Sequence, residues 1–328
     1  MSSEDTVEHA VDKLTRQPSA TLFADLDGSP AEVRAFLENA GQGASPQRAA
    51  RLAESELTVA LGADVPLEEL ESYDSRTRLA LSLNLGDKDI VNYKSVGDAV
   101  YLRLQPRELV REAHLDPRER RQLREVVDLA DRLPDSLRSV QRLLRGGWVR
   151  LDPDDYRDFG WAVERFARLP LDGDEARGAG SVLDGTELRE LLSGLRKVLV
   201  EHGDEPRPRA SGRGGGTGTE RLTVGLPARE VAEELAPAVA PLGVRLRPDR
   251  VPDRRVTAEL TIRRGVLAGL TLDLAALTDR GGSAHLPLRL RFATGDALSV
   301  HRPSKSYELE PQDMLAAFLY GTVHGPAR

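Results

Sequence analysis

Apolar and polar residues alternate with period two through several stretches of this chain and shift to helical spacing in others. Residues 4–16 (EDTVEHAVDKLTR) put Val7, Val11 and Leu14 on one helical stripe, with acids early, Arg16 late and Pro18 as the stop. SATLFADLDG then reads as a strand with Leu22, Ala24 and Leu26 on one side. SPAEVRAFLENAG is a short helix that Ser29 caps, Pro30 opens and Gly41 ends. A run of strands follows directly. ELTVALG places Leu57, Val59 and Leu61 on one face, and RTRLALSLNLG places Leu79, Leu81, Leu83 and Leu85. DIVNYKSVGDAVYLRLQP turns at Gly97-Asp98 into a strand pair whose second member carries Val100, Leu102 and Leu104.

Residues 106–145 change character: 107–115, 116–133 and 134–145 read as charged amphipathic helices, divided by Asp116-Pro117 and Leu133-Pro134. GGWVRLD is a brief return to strand, 153–168 a helix, and 170–184 a Gly- and Asp-rich loop. Residues 186–202 form an amphipathic helix with Leu188, Leu191, Leu192, Leu195 and Leu199 on its stripe. GDEPRPRASGRGGGTGTE has nothing to bury, so 203–219 reads as a flexible loop. ERLTVGLP is a strand and PAREVAEELAPAV a helix.

VTAELTIRRGVLAGLTLDL (256–274) is a hairpin broken at Arg-Arg-Gly. Val256, Ala258, Leu260 and Ile262 share one side, and Val266, Ala268, Leu270, Leu272 and Leu274 continue the same parity. HLPLRLRFA and ALSVHRP follow as strands, with Pro287 suited to an edge or bulge because it cannot donate to a ladder. PQDMLAAFLYG is a closing helix from Pro311 that ends before Gly321. Strands, helices, strands in that order favour one α+β sheet with a helical section in mid-chain over two independent domains.

Composition narrows the function classes. With 40% apolar residues the chain can build a core, and with only 4% aromatics that core is aliphatic. A formal net charge of -7 argues against nucleic acid as a partner, because no surplus of cations exists to neutralise phosphates. The absence of cysteine excludes disulfides, thiol catalysis and Cys-ligated metal. No run approaches the ~18 apolar residues of a membrane span, and Met1-Ser-Ser-Glu-Asp-Thr lacks the pattern of a secretory signal.

Candidate chemistry reduces to bland readings. GRGGGTGTE has no Lys and precedes a strand, so it is a linker rather than a phosphate loop. LDPDDYRD and LDGDEARG lack the spacing of a calcium loop; the first is acid enrichment at a helix start. His9, His114, His202, His285, His301 and His324 contain no i, i+4 pair for zinc, although His285 and His301 flank neighbouring predicted strands. No Gly-x-Ser-x-Gly elbow occurs. No catalytic residue, metal site or cofactor is assigned. The apolar sheet face remains, either as a packed core or as one wall of an unfilled aliphatic cavity; composition does not separate the two.

The order of these segments resembles the LppX/LprG family of actinobacterial lipoproteins. The resemblance is carried by SATLFADLDG, ELTVALGADVPLEEL, DIVNYKSVGDAVYLRL with Tyr101, GGWVRLDPDDY with Trp148, LTVGLPAREVAEELAP and the 256–274 hairpin, over most of residues 5–320. Residues 106–145 and 165–218 are longer than in compact members and read as insertions in a single domain spanning 1–328. The resemblance implies a strongly curved antiparallel half-barrel, LolA-like, with helices on its concave face and a hydrophobic cavity between. The cavity face would carry Leu57, Val59, Leu61, Leu79, Leu81, Leu83, Val100, Leu102, Leu104, Leu260, Ile262, Leu270 and Leu272. It further implies a non-enzymatic carrier of a lipid or acylated glycolipid, extracytoplasmic and held at the membrane by a lipid anchor this chain does not contain; if Met1 is the natural start, the protein is cytoplasmic. Two alternatives stand beside it: an envelope scaffold of the same fold with a filled cavity, binding a protein through its helical section, and an unrecognised hydrolase.

Overall fold

A computed structural model describes residues 3–43, 45–69, 77–152, 155, 192–208, 218–239, 244–278, 285–294 and 300–324. Among them, twelve strands join in one curved, unclosed sheet. These are β1 (Ser19–Leu26), β2 (Ser55–Gly62), β3 (Arg78–Leu85), β4 (Lys88–Val96), β5 (Ala99–Leu104), β6 (Val149–Leu151), β7 (Arg207–Pro208), β8 (Thr219–Pro227), β9 (Arg255–Arg263), β10 (Val266–Asp273), β11 (Pro287–Thr294) and β12 (Tyr307–Glu308). Their spatial order is β12-β6-β5-β4-β3-β2-β1-β11-β10-β9-β8-β7. All neighbours are antiparallel except β12 and β6. The α+β class and the curved antiparallel sheet expected from the sequence are therefore present.

Each half of the chain builds its strands by hairpins, and β1 is the seam. It pairs with β2 on one side and with β11 on the other, so chain-distant halves share one ladder. Helices cover one face: α1 (Ser3–Thr15), α2 (Pro30–Asn39), α3 (Pro46–Ala53), α4 (Pro106–Glu112), α5 (Pro117–Arg132), α6 (Arg138–Leu144), a helical segment α7 at 192–201, α8 (Ala228–Val239) and α9 (Pro311–His324). The capping chemistry reads directly. Ser29 and Glu32 form a reciprocal capping box at α2, as do Asp116 and Glu119 at α5.

Several expectations need correction. Helix α3 was not signalled by the apolar pattern, yet Ser45 caps it and Pro46 opens it. The even parity of 266–274 fails at its start, because a bulge between Leu267 and Gly269 pairs Leu267 with Ile262 and buries it in place of Val266 and Ala268. Pro287 lies on an interior strand rather than an edge; it is tolerated as the first residue of β11, where its carbonyl accepts from Asp27 N at 2.8 Å. Residues 300–303 are not strand. They cross the opposite face, where Val300 packs on Ala60, Ala80 and Val96. Helix α9 runs through Gly321 to His324, since Gly321 lies against Leu129 and lets the two helices approach. Within 203–219, residues 207–208 are edge strand β7 and 209–217 lie outside the described residues. The 153–168 helix (apart from Asp155), the 170–184 loop, Leu188, Leu191 and most of the 165–218 insertion also lie outside them.

Candidate functional site

Residues directly opposite in a ladder point to the same face, so the register turns separate alternations into lateral rows. One row runs Leu222, Leu260, Leu270, Leu290, Ala24, Leu57, Leu83, Val91, Leu104 from β8 to β5. A second runs Phe292, Leu22, Val59, Leu81, Tyr93, Leu102, Val149 from β11 to β6. Leu61, Leu79 and Val100 belong to a third, Ile262 pairs with Leu267, and Leu272 lies between Ala258 and Leu288. The register thus places all thirteen candidate residues on the helix-bearing face. Leu22, Val91, Tyr93, Leu288, Leu290 and Phe292 complete the rows. Their alternation was visible in the sequence, but nothing local states that β1 and β11 are neighbours.

The face divides by coverage. Leu57, Val59, Leu61, Leu79, Leu81, Leu260, Ile262, Leu270 and Leu272 are buried in one large cluster. Val7, Val11 and Leu14 of α1, Phe36 and Leu37 of α2, Leu192 and Leu195 of α7, and Val231 and Leu235 of α8 fill the other side of it. Leu260 and Ile262 are each 1% exposed, so protein atoms rather than an open void surround them. Leu83 and Val100 are only partly buried against this cluster. Leu102 and Leu104 are partly buried against a second one, built by Leu133, Leu137, Val140, Leu143, Val149, Leu309 and Ala317 from the α5–α6 region, β6 and α9. Val91, between Leu83 and Leu104 in its row, is partly buried against a third cluster, built by Leu85, Ile90 and Ala113. The partly buried positions are contiguous across β3, β4 and β5, where the three clusters meet.

On the sheet itself, the main ion pairs lie on the other face and at the turns. Asp25 on β1 stands between Arg289 and Arg291 of β11, and Arg291 also reaches Glu56 on β2 and the Phe23 ring. Burial raises the Asp25 carboxyl above its ordinary value, against the two guanidinium groups. Burial also lowers the Lys94 ammonium, which donates to His301 O at 3.3 Å and lies 5.2 Å from the centre of the Trp148 ring. His285 Nδ1 lies 2.6 Å from Asp273 Oδ2, and this hydrogen bond raises the imidazole above its ordinary value. Asp273 already accepts from Leu286 N and Ala275 N, so the pair clamps a turn. His285 and His301 do not form a shared site: the former binds Asp273, and the carbonyl of the latter binds Lys94. No group of three His, Asp or Glu able to hold a metal occurs among the described residues. A cleft of about 80 Å³ at the end of α2, lined in part by Arg245, Arg247 and Arg250, has room for a few waters but not for an acyl chain.

This architecture defines an α+β protein whose open antiparallel sheet carries helices on one apolar face. Neither a family model nor a curated protein matches the chain. Solved structures similar to it include the lipoprotein LppX of Mycobacterium tuberculosis, at 12% identity and a TM-score of 0.35 over 91% of this chain and 98% of that one. LprF from Mycobacterium bovis is similar at 9% identity and a TM-score of 0.41, over 92% of this chain and 97% of that one.

Proposed function

We propose that the protein is a non-enzymatic lipid-binding protein of the cell envelope that takes an acyl chain into the partly covered strip over β3, β4 and β5. The observation that carries this is the position of Leu83, Val91, Val100, Leu102 and Leu104. They are aliphatic, contiguous through the ladder, incompletely buried, and lie where three packed clusters meet. Isolated exposed apolar residues are ordinary on a surface; a contiguous strip flanked by packed core on both sides suits a hydrophobic ligand. Binding there would be driven by apolar transfer, at about 25 cal/mol per Å² of ligand surface removed from water, and needs no covalent step. Of the thirteen residues expected to line a cavity, Leu83, Val100, Leu102 and Leu104 are then the ligand contacts, and the other nine support the wall. Transport of a lipid or acylated glycolipid, and tethering at the outer face of the membrane through a separate lipid anchor, belong to the same proposal. No helix among the described residues is long and apolar enough to cross a membrane, which is compatible with peripheral attachment.

A second reading, a scaffold with a filled interior, is favoured by the nine residues whose exposure is lowest. Native mass spectrometry of the full chain purified from its own envelope separates the two. Bound species of lipid mass, lost when Leu102 and Leu104 are both changed to Gln, support the carrier. A lipid-free spectrum together with no saturable binding of a fluorescent fatty acid would favour the scaffold.

A further inference from the structure

Helix α9 presents the wrong face to solvent for an ordinary surface helix. Its inner side is fixed by Ala317, by Gly321 against Leu129, and by Asp313, which accepts from Ser139 Oγ at 2.7 Å. Its outer side carries Met314, Leu315, Phe318, Leu319 and Val323, all exposed, with Phe318 at 59% and Val323 at 75%. At 100° per residue these five fall on one broad stripe. The hydroxyl of Thr322, which interrupts it, is turned back onto Leu319 O at 2.8 Å. A single exposed Leu needs no explanation, but five large apolar side chains on one helix face do.

The neighbouring helix supplies the complementary charge. Leu129 of α5 touches Gly321, and Val126, one turn earlier on α5, is likewise exposed. Further along the same helix Arg118, Arg120, Arg121 and Arg124 are exposed and engage no carboxylate among the described residues. The acids that could neutralise them are committed elsewhere: Glu119 to Arg51, and Asp131 to Arg107 and Arg145. Glu125 and Asp128 remain, so four exposed arginines stand against two acids around this helix, with Arg118 and Arg121 nearer the side of Leu129 and Arg120 and Arg124 turned away from it.

We infer that the outer face of α9, with Val126, Arg118 and Arg121 of α5, docks the protein onto an anionic lipid bilayer. A 14-residue helix is about 21 Å long. That is short of the ~30 Å needed to span a bilayer and suited to lying in its interface. Its footprint, roughly 21 by 10 Å, falls well below the ~800 Å² per partner of a stable protein interface, which favours a lipid surface over a second copy of this chain. Arginine stems can lie along the apolar boundary while their guanidinium groups reach phosphates. This docking is independent of whether the strip over β3–β5 holds a lipid.

Flotation of the full chain with vesicles tests it. Wild type is expected to float with vesicles of phosphatidylcholine and 30% phosphatidylglycerol, and at least fivefold less with phosphatidylcholine alone. Phe318→Glu/Leu319→Glu should reduce the bound fraction at least tenfold. Arg118→Gln/Arg121→Gln should reduce it at least threefold and weaken its sensitivity to salt. All four positions are exposed, so thermal unfolding should be unchanged, and a circular-dichroism melt confirms that each variant is folded. Equal flotation of wild type and Phe318→Glu/Leu319→Glu overturns the inference, as does binding indifferent to phosphatidylglycerol. A wild-type dimer by light scattering that the same variant makes monomeric would also overturn it, by assigning the face to self-association.

Discussion

Truncating Leu260 and Leu102 to alanine, one at a time, measures how the apolar face is divided between core and binding strip. Leu260 is 1% exposed and stands between Leu222 and Leu270 in its lateral row, under the helical layer. Leu→Ala removes three carbons, worth about 2.4 kcal/mol of transfer at ~0.8 kcal/mol each. The surrounding helices and strands cannot close the space fully, so the cavity contribution brings the expected loss to about 3–4 kcal/mol. Leu102 loses the same three carbons from a side chain that solvent already reaches on one side. Roughly half of the transfer is then at stake, with no sealed cavity left behind, and the expected loss is about 1 kcal/mol. Urea unfolding followed by far-UV circular dichroism gives both values, with unchanged slopes required for the comparison. The ligand response should run the other way: Leu102→Ala weakens binding of a fluorescent fatty acid, and Leu260→Ala leaves it within a factor of two at temperatures where the protein is folded. Equal losses of about 3 kcal/mol at both sites would refute the division and put Leu102 in closed core.

Three further outcomes follow from the geometry. A Cβ added at Gly28 would lie 2.6 Å from Leu286 Cδ1, a fully buried side chain, so Gly28→Ala should destabilise by about 1–3 kcal/mol in the same urea assay. Arg264 holds φ 53° beside Gly265 at φ 73° in the β9–β10 turn. Asn accepts that region more readily than Arg, so Arg264→Asn should stabilise by roughly 0.5–1 kcal/mol, read as a raised melting temperature. His285 has a raised value in the fold, so its contribution is fully present below its ordinary value of 6.5 and is lost as pH rises through the raised one. Its side chain is largely exposed, so the effect is small. His285→Gln should flatten that part of the stability–pH curve, and an unchanged slope would show that the Asp273 contact is not maintained in solution.

Local elements were legible because their causes are local. The alternations at 55–61 and 79–85 need only the pleat, and the cap at Ser29 needs only a side-chain oxygen within three residues of orphan amides. The candidate face was legible to the same extent: period two assigns Leu57, Leu83 and Leu104 each to an apolar side of its own strand. Where local chemistry was ambiguous the reading failed. Gly321 was read as a stop because glycine commonly ends helices, but Leu129 of another helix makes it a point of close approach.

By itself, then, the sequence determined most of the strands and helices, which side of most strands is apolar, and that the interior is aliphatic. The tertiary structure alone decided that β1 joins β11, that a bulge moves the buried position from Val266 and Ala268 to Leu267, and that Pro287 fits an interior strand. It also decided which part of one continuous apolar face is sealed and which is left partly open. Leu260 and Leu102 have the same side chain in the same alternating pattern. They differ only in what packs over them, and that depends on residues far away in the chain.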